Sequence, residues 1–379
     1  MKLLILVSLF LGVLIAVQFL RISKYTAQLK DVSDADSSES DNKLHATLFA
    51  LFGVGYLSIV IWMVSKYSLM FVRPSASEHG KTIDALLGFN WVLLAIAFFL
   101  VHGLLFFFVH KYVYSKERKA YFYSHNNTME AIWTAVPALA LSVIIIWGLV
   151  SWNEIMDKPK EDAVSLELYA KQFDWTARYP GADGKLGLTN YNVISNTNPL
   201  GIVTVQTVQS KLQELEEEIA GLRAELDSTR AQMSDYKIKK KESKIRHLVL
   251  HKNRVLQINL NDERLKWGED DVLAKVEFHL PIDREVGFQF RSRDVIHSAL
   301  MYDFRAQMNV VPGMATTFKY TPIISTADMR KHVGDAEFNY KLTCNKICGA
   351  SHWNMTMDIV VESEQDFNTW LAQQKTFQN

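Results

Sequence analysis

The sequence predicts a membrane anchor of four α-helices, followed by an all-β barrel or sandwich that carries an inserted helical hairpin. Three observations lead to this fold class. Hydrophobic residues make up 49% of the 379-residue chain, and most of the excess lies before residue 152. From residue 163 onward, short segments alternate apolar and polar side chains, which is the period of β-strands. Between these segments, apolar residues recur with alternate spacings of four and three, which is typical of a coiled coil.

Four apolar runs are long enough to cross a bilayer, which takes about 20 residues. The first follows a short basic head like that of a signal peptide, but no small-residue cleavage site comes after it. We therefore expect a retained anchor and a membrane domain over residues 1–156. The four runs are approximately Leu4 to Leu20, Ala46 to Val64, Phe89 to Val109 and Ile132 to Trp152.

The basic residues of the loops predict the orientation, because Lys and Arg resist translocation. The third loop, "HKYVYSKERKAY", has four such residues close to the membrane and should face the cytoplasm. Four crossings then put residues 157–379 on the outer face. We expect a multi-pass protein of a bacterial inner membrane with a periplasmic β-domain. The net charge of zero argues against a nucleic-acid partner.

The segments after the membrane predict an antiparallel sandwich or barrel, because short alternating strands are separated by Pro and Gly turns. Val164, Leu166, Leu168 and Ala170 share one face of the first strand. "AKVEFHLP", with Ala274, Val276, Phe278 and Leu280 on one face, and "VGFQFRS" and "MTMDIVVES" repeat the pattern. A short closing helix is expected at "SEQDFNTWLAQQ".

The heptad-like segment interrupts this β-domain over residues 205–258. It leaves and returns to one domain, so we expect an antiparallel coiled-coil hairpin that turns near residues 231–240. The basic run "KIKKK" is interpreted as a solvated tip. The pattern by itself indicates either protein contact or a spacer. The apolar seam consists of Val208, Leu212, Leu215, Ile219, Leu222, Leu226, Thr229, Met233 and Tyr236.

The stretch "TCNKICGASHWNM" holds the only two cysteines, Cys344 and Cys348, together with His352 and Met355. Thiolate, imidazole and thioether form a soft donor set that suits copper. Zinc bound by two Cys and two His is the competing metal, and a disulfide is the other alternative in an oxidising compartment. Two cysteines can bridge a pair of copper ions, which then require one imidazole each. His297, in "RSRDVIHSALM", is the candidate for the second imidazole.

Several motifs together resemble subunit II of haem-copper cytochrome c oxidase, whose outer domain is a cupredoxin-like barrel that carries the binuclear CuA centre. The resemblance covers residues 89–200 and 265–375. The motifs are "NNTMEAIWTAVPAL", "KQFDWTARYPG", "EFHLP" with "VGFQFRSRDVIHS", "NVVPGM", and "CNKICGASHWNMTMDIVVES" with "DFNTWL".

The resemblance implies a ligand set and a role. The centre would accept one electron from a c-type cytochrome and pass it to haem in subunit I, where oxygen is reduced, so this chain would transfer electrons and catalyse no bond chemistry. No C-x-x-C-H motif occurs, so we expect no haem on this chain. The implied copper ligands are Cys344 and Cys348 as bridges, His297 and Met355 on one copper, and His352 and the carbonyl of Lys346 on the remaining positions.

The resemblance also assigns residues around the copper and at the membrane. Phe173 and Trp175 stand where the family has a pair of Trp residues associated with electron acceptance. Glu130 stands where the family places an acid near the mouth of a proton channel. Lys346 replaces a Glu that reaches a magnesium ion, and a charged Lys cannot ligate that ion, so the magnesium site is not carried over.

The first two membrane runs and the hairpin have no counterpart in the common two-helix form. We expect them to dock a neighbouring complex, one that presents its own cytochrome. Other function classes remain to be separated: a copper chaperone or assembly factor with exposed ligands, or a membrane scaffold held by zinc or a disulfide. A quinol-oxidising relative is disfavoured because all five side-chain ligands are present. The soluble nitrous oxide reductase is disfavoured by the four membrane runs.

Overall fold

The computed structural model describes residues 2–29, 39–67, 73–115, 117–119 and 121–378. The chain divides into two compact units. One consists of Met1–Val72 with Gly88–Leu141, and the other of Arg73–Leu87 with Ser142–Asn379. Residues 73–77, which precede the third helix, and the first ten residues of that helix therefore belong to the same unit as the β-domain.

Four long helices come first, and each contains one of the predicted apolar runs and extends beyond it at both ends. Within the described residues, the second, third and fourth are long and apolar enough to span a membrane. The run Leu4 to Leu20 lies in the first helix, but part of it falls outside the residues whose side chains are described. The helices are α1 (Lys2–Leu29), α2 (Glu39–Tyr67), α3 (Glu78–Lys111) and α4 (Asn127–Met156).

The connection between α2 and α3 packs into the β-domain. Ala76 and Ser77 are fully buried. The Ala76 amide donates to the Asp303 carbonyl at 2.8 Å, and the Ala76 carbonyl accepts from the Ile323 amide at 2.8 Å. The Ser77 hydroxyl donates to the Phe304 carbonyl at 2.6 Å. These contacts join residues 73–77 to the β-domain.

The β-domain is built of two five-stranded sheets. One sheet has the order β3-β2-β1-β5-β8 and the other the order β4-β10-β9-β6-β7. The core between the sheets contains Trp175, Phe278, Phe288 and Phe290 among its fully buried residues. The strands are β1 (Val164–Lys171), β2 (Asp174–Tyr179), β3 (Val272–Ala274), β4 (Glu277–Pro281), β5 (Val286–Ser292), β6 (His297–Met301), β7 (Ala306–Val310), β8 (Thr316–Tyr320), β9 (Tyr340–Cys344) and β10 (Thr356–Glu362).

Two features of the sheets differ from the sequence prediction. The β1–β5 and β4–β10 pairs are parallel, whereas the other strand pairs in the described residues are antiparallel. The alternation from Ala274 to Leu280 is divided between β3 in one sheet and β4 in the other, and Val276 is 82% exposed at the crossing. The prediction that Val276 shares one strand face with Ala274, Phe278 and Leu280 was wrong, because the chain changes sheets at a point that the alternation does not mark.

The insertion is a pair of antiparallel helices, α5 (Val205–Thr229) and α6 (Asp235–Leu256). Ion pairs between the two helices follow the antiparallel arrangement. Lys241 pairs with Glu225 near the turn, and Lys252 pairs with Glu216 farther from it. The turn lies at residues 230–234, close to the predicted position. Val208, Leu215, Ile219 and Leu226 of the predicted seam are buried. Coiled-coil winding of the pair remains a prediction.

Two short helices complete the fold, α7 (Thr326–Val333) and α8 (Glu364–Gln373). The second begins at the predicted closing segment. The hydroxyl of Ser363 caps it by accepting from the Asp366 amide, and Phe367 packs in the core of the sandwich.

Candidate metal centre

The sheet of β6 and β9 brings together two segments that are distant in the sequence. His297 is the first residue of β6, and Cys344 is the last residue of β9. The two strands are antiparallel neighbours, with Ala299 opposite Cys344. A loop of residues 345–355 then carries the chain to β10. Pairing of the strands therefore places His297 beside the cysteine loop.

The candidate ligand atoms form a chain of short contacts. His297 Nδ1 lies 3.8 Å from Cys344 Sγ, and the two cysteine sulfurs are 3.8 Å apart. Cys348 Sγ lies 3.6 Å from His352 Nδ1 and 3.8 Å from Met355 Sδ. Each sulfur therefore has an imidazole nitrogen of its own.

The carbonyl of Lys346 also belongs to this group of atoms. Its oxygen lies 3.3 Å from Cys344 Sγ, while the Lys346 side chain is exposed. The five side chains that the sequence predicts and the carbonyl that the family resemblance implies therefore meet at a single place.

The two imidazoles lie at different ends of the group. The ligand atoms of His297, Cys344 and Cys348 lie within 4.8 Å of one another, and His352 is not in that set. Bonds from zinc to sulfur are about 2.3 Å long, so two ligands of one zinc ion are at most about 4.6 Å apart. His297 and His352 contact different sulfurs, an arrangement that is compatible with two ions that share the sulfurs.

Both cysteines are unbonded thiols in a buried setting. Cys344 is 9% exposed and Cys348 is 5% exposed. A disulfide would require a sulfur separation of about 2.05 Å, which is far shorter than the observed 3.8 Å. Burial, and then the contact with Cys344, raises the pKa of the Cys348 thiol above its ordinary value. Binding of a metal at this thiol would therefore release its proton.

Asp294 fixes the His297 ring. Its Oδ1 atom lies 2.9 Å from His297 Nε2. Burial alone would raise the pKa of Asp294, but the amide of Gln172 and the His297 ring lower it overall, so the residue is a carboxylate at neutral pH. A carboxylate on Nε2 keeps the proton there and leaves the Nδ1 lone pair directed at the sulfur side.

Backbone hydrogen bonds hold the loop that carries the other ligands. The Met355 carbonyl accepts from the Cys344 amide at 3.0 Å and from Trp175 Nε1 at 3.3 Å. The Gln172 side-chain amide donates to the Cys348 carbonyl at 2.5 Å. The ligand loop is therefore held by the turn between β1 and β2, which contains Gln172, and by β2, which contains Trp175.

Gly349 allows the loop to turn against Phe173. Its φ is +141°, and a Cβ atom at this position would lie 2.8 Å from two carbons of the Phe173 ring. A side chain here would strain the backbone and meet the ring. Phe173 therefore packs beneath the ligand loop.

The remaining predicted residues are placed as follows. Trp175 is fully buried, so its ring does not reach the surface. Phe173 is half-buried. Glu130 is exposed in the first turn of α4, in the membrane unit. Asp294 and Gln172 were missed by the sequence reasoning, although "RDVIH" carries an acidic residue three positions before the ligand histidine.

Comparisons with known proteins extend these observations. A profile described as "Cytochrome C oxidase subunit II, transmembrane domain" matches residues 64–151. The alternative cytochrome c oxidase subunit 2 of Bradyrhizobium diazoefficiens is 26% identical over 305 residues, which cover 80% of this chain and 84% of that protein. The chain is similar to cytochrome c oxidase subunit II over most of its length.

Another relative and a solved structure are also similar to this chain. Cytochrome c oxidase subunit 2 of Thermostichus vulcanus is 23% identical over 326 residues, which cover 85% of this chain and 83% of that protein. A solved periplasmic domain of subunit II of a cytochrome oxidase from Bradyrhizobium japonicum is 15% identical, covering 56% of this chain and 94% of that chain, with a TM-score of 0.28.

These similarities, together with the fold, confirm the coarse predictions. The chain is a membrane protein with a helical anchor and a β-rich outer domain of the subunit II type. Cytochrome c oxidase is a haem-copper oxidase, so the chain is a subunit of an oxidoreductase complex.

Proposed function

We propose that this chain receives electrons for a haem-copper terminal oxidase through a binuclear CuA centre. The observation that carries the proposal is the pairing of each cysteine sulfur with its own imidazole nitrogen, His297 with Cys344 and His352 with Cys348. Electrons come from a c-type cytochrome and continue to haem in subunit I, where oxygen is reduced to water.

The chemistry of the donor set fits a copper pair. Two thiolates can bridge two ions, each ion then has one imidazole, and the Met355 thioether is a usual weak ligand of copper electron-transfer sites. Zinc makes no use of a thioether. The buried position of Cys344, Cys348 and Met355 disfavours a chaperone, which must release its metal. When bound, the copper pair supplies a one-electron redox centre whose charge is spread over both metals and both sulfurs.

The residues of this chain hold that centre rigid. Asp294 orients His297, while Trp175 and the Cys344 amide fix the carbonyl of Met355. His297 and Met355 are fully buried, which keeps water from one side of the site. A rigid, dry ligand set changes little on gain or loss of an electron, so the reorganisation energy is small.

The partners follow from the same proposal. The anchor binds subunit I and other oxidase subunits in a bacterial inner membrane, with the β-domain in the periplasm. The donor cytochrome belongs to a larger respiratory complex that the hairpin of α5 and α6 contacts. Deletion of residues 207–255, joined by a short Gly-Ser linker, should abolish co-purification with that complex and leave the copper spectrum unchanged. Unchanged association would remove this role.

Copper counting and electron paramagnetic resonance of the purified oxidase test the proposal. We expect the signal of one unpaired electron shared by two copper nuclei, and His297→Ala should abolish it. His332→Ala is the matched control, since His332 is exposed on α7 and remote in sequence from the ligands. A single-copper signal, zinc, or an oxidised cysteine pair in the active enzyme would refute the copper pair.

Two further assignments belong to the proposal. Glu130 lies in the first turn of α4, where the positive end of the helix dipole also stabilises a carboxylate. We assign it to proton uptake, and Glu130→Gln should slow turnover without altering the copper signal; unaltered turnover would leave only a role in the helix. The Lys346 side chain is assigned no magnesium ion, because an ammonium group offers no lone pair.

A further inference from the structure

The second helix of the inserted hairpin carries a strong positive charge. Lys and Arg contribute eight charges to α6, against two from Asp235 and Glu242. The first helix, α5, is acidic, with six Asp and Glu residues against Lys211 and Arg223. The positive charge of α6 therefore exceeds what α5 can neutralise.

Ion pairs with α5 use only part of this charge. Three pairs join the two helices, with nitrogen–oxygen distances between 2.5 and 2.7 Å, and they are Lys241 with Glu225, Lys244 with Glu218 and Lys252 with Glu216. Five other cations of α6 are exposed, namely Lys237, Lys239, Lys240, Arg246 and Arg254. Within the part of the chain that the structure describes, no carboxylate forms an ion pair with any of the five. These cations are therefore available to a partner.

Four of the five cations lie along one side of α6. Residues spaced alternately by four and three share a helix face, because a turn has 3.6 residues. The face that we call the basic stripe consists of Tyr236, Lys240, Ser243, His247, Leu250 and Arg254, with Lys239 and Arg246 at its edge. Tyr236 is 74% exposed and Leu250 is 51% exposed. The basic stripe therefore presents cations and two apolar side chains to solvent.

The base of the hairpin fixes the basic stripe relative to the β-domain. Val255, near the end of α6, is fully buried in a small core that also contains Val193 and Leu265. His251 Nε2 lies 2.8 Å from the carbonyl oxygen of Asn192. A helix held in this way presents its side chains in a fixed register, so a partner that binds them loses less conformational entropy.

We propose that the basic stripe docks a carboxylate-rich surface of another protein in the neighbouring respiratory complex. This rests on the proposed function, in which the hairpin contacts that complex, and it specifies the surface and the chemistry of the partner. From Tyr236 to Arg254 the stripe is about 27 Å long, because a helix rises 1.5 Å per residue. That length accommodates an acidic helix or an extended acidic segment. The contact joins the two complexes and carries no electron.

Two other occupants fit the basic stripe less well. A second copy of this chain would bring the same positive excess, and the exposed acids of α5 outside the ion pairs are only Glu217 and Asp227 among the described residues. A lipid surface attracts cations, but a helix that lies in the interface inserts a continuous apolar face. Tyr236 and Leu250 are about 21 Å apart along α6. An acidic protein surface therefore fits the stripe best.

The test uses the intact oxidase, purified through an affinity tag in mild detergent and washed at increasing NaCl concentration. The c-type haem that stays bound per copper centre is measured by absorbance. Lys239→Glu combined with Lys240→Glu should lower the retained haem about tenfold or more at low salt, because like charges that face each other across an interface are strongly unfavourable. The unaltered protein should lose the haem steeply as salt rises, because salt screens exposed charges.

Matched variants and cross-linking make the result specific. Lys266→Glu combined with Lys275→Glu changes the net charge equally at exposed sites of the β-domain and should leave the retained haem unchanged. Lys239→Gln combined with Lys240→Gln should give a smaller loss, and the copper signal should be the same in all these variants. A carbodiimide, which joins an amine to a carboxylate, should link Lys239 or Lys240 to an Asp or Glu of another protein in that complex.

The outcomes separate this docking surface from the proposed function. If deletion of residues 207–255 releases the complex and the double charge reversal does not, the hairpin docks through another surface and the inference is overturned. Cross-links from Lys239 and Lys240 to carboxylates of this chain alone also overturn it, as does an equal loss in the β-domain control.

A lipid surface and a failure of the proposed partner give different results. Reduced binding of the double reversal to phosphatidylglycerol vesicles, with unchanged haem retention, assigns the stripe to the membrane and overturns the inference. Unchanged association after the deletion, or no c-type haem on the unaltered protein at low salt, refutes the proposed partner first.

Discussion

The carboxylate of Asp294 lies 2.9 Å from Nε2 of His297, on the opposite side of the ring from the Cys344 sulfur. This hydrogen bond determines which nitrogen faces the metal site. It also places the negative charge of Asp294 next to a ligand of the proposed copper pair. Both effects can be separated by substitution.

Replacement of Asp294 should alter the metal site without removing a ligand. Asp294→Ala removes both the hydrogen bond and the charge, and the copper affinity should fall about 10–100-fold, as for other residues that orient metal ligands. Asp294→Asn keeps an acceptor but no charge, so the affinity should fall less and the reduction potential should rise, because the oxidised centre loses a stabilising charge. Copper titration and redox titration measure the two effects. Asp335→Asn, on an exposed acid, is the control, and equal behaviour of all three variants would contradict this role.

Gly349→Ala should destabilise the ligand loop by roughly 1–3 kcal/mol. The new Cβ atom would meet the Phe173 ring at 2.8 Å, and the φ of +141° is unfavourable for a side chain. Gly313→Ala is a matched control, because Gly313 also has a positive φ, +77°, but open space around it. Thermal unfolding and copper retention measure the difference. Adding Phe173→Leu to Gly349→Ala should recover part of the lost stability, because it removes the ring. If no stability is recovered, the contact with the ring is not the cause of the loss.

Asp271 should make the stability of the β-domain depend on pH. Burial raises its pKa to about 7, although the Arg178 guanidinium opposes this shift. Because the folded state then binds a proton that the unfolded state has lost, stability is greatest below about pH 4 for this group and falls as the pH rises to about 7. Asp271→Asn should remove that decline, whereas Asp227→Asn on the exposed face of α5 should keep it. Unfolding by urea at several pH values measures the difference, and identical slopes in all proteins would contradict it.

Residues 73–87, which include the end of the α2–α3 connection and the start of α3, should stabilise the β-domain. Arg73 pairs with Asp303 at 2.8 Å and Arg305 pairs with Asp84 at 2.8 Å, in addition to the burial of Ala76 and Ser77. A soluble fragment that begins after Trp152 lacks these contacts. Its melting temperature should rise when residues 73–87 are supplied as a peptide, and a peptide with Ala76→Arg should have no such effect because the new side chain does not fit a buried site. No rise with the natural peptide would show that the segment is dispensable.

The local parts of the site could be predicted because they lie in one short loop. The spacing of Cys344, Cys348, His352 and Met355 already indicated a soft metal site, and the need for a second imidazole indicated His297. The Met thioether and the remote imidazole favoured copper over zinc and a disulfide, and the family resemblance agreed with that choice. In the structure each sulfur contacts an imidazole nitrogen of its own, and the proposal of a copper pair rests on this arrangement.

Other features could not be predicted from local patterns. The alternation through Val276 gave no sign that the chain changes sheets there, and the parallel pairing of β1 with β5 joins strands separated by the whole hairpin. Local patterns also gave no sign that the Trp175 ring is enclosed by the core while Trp353 is exposed.

The sequence by itself determined the helical anchor, the β-rich domain, the inserted hairpin and the residue types of the metal loop. These follow from periodicity, composition and short spacings, which act between residues that are close in the chain. Only the tertiary structure decided that Asp294 orients His297, that residues 73–87 belong to the β-domain, and that Trp353 is the exposed tryptophan beside the ligands. Such relationships depend on packing between distant segments, where burial and hydrogen-bond geometry are set by the whole fold.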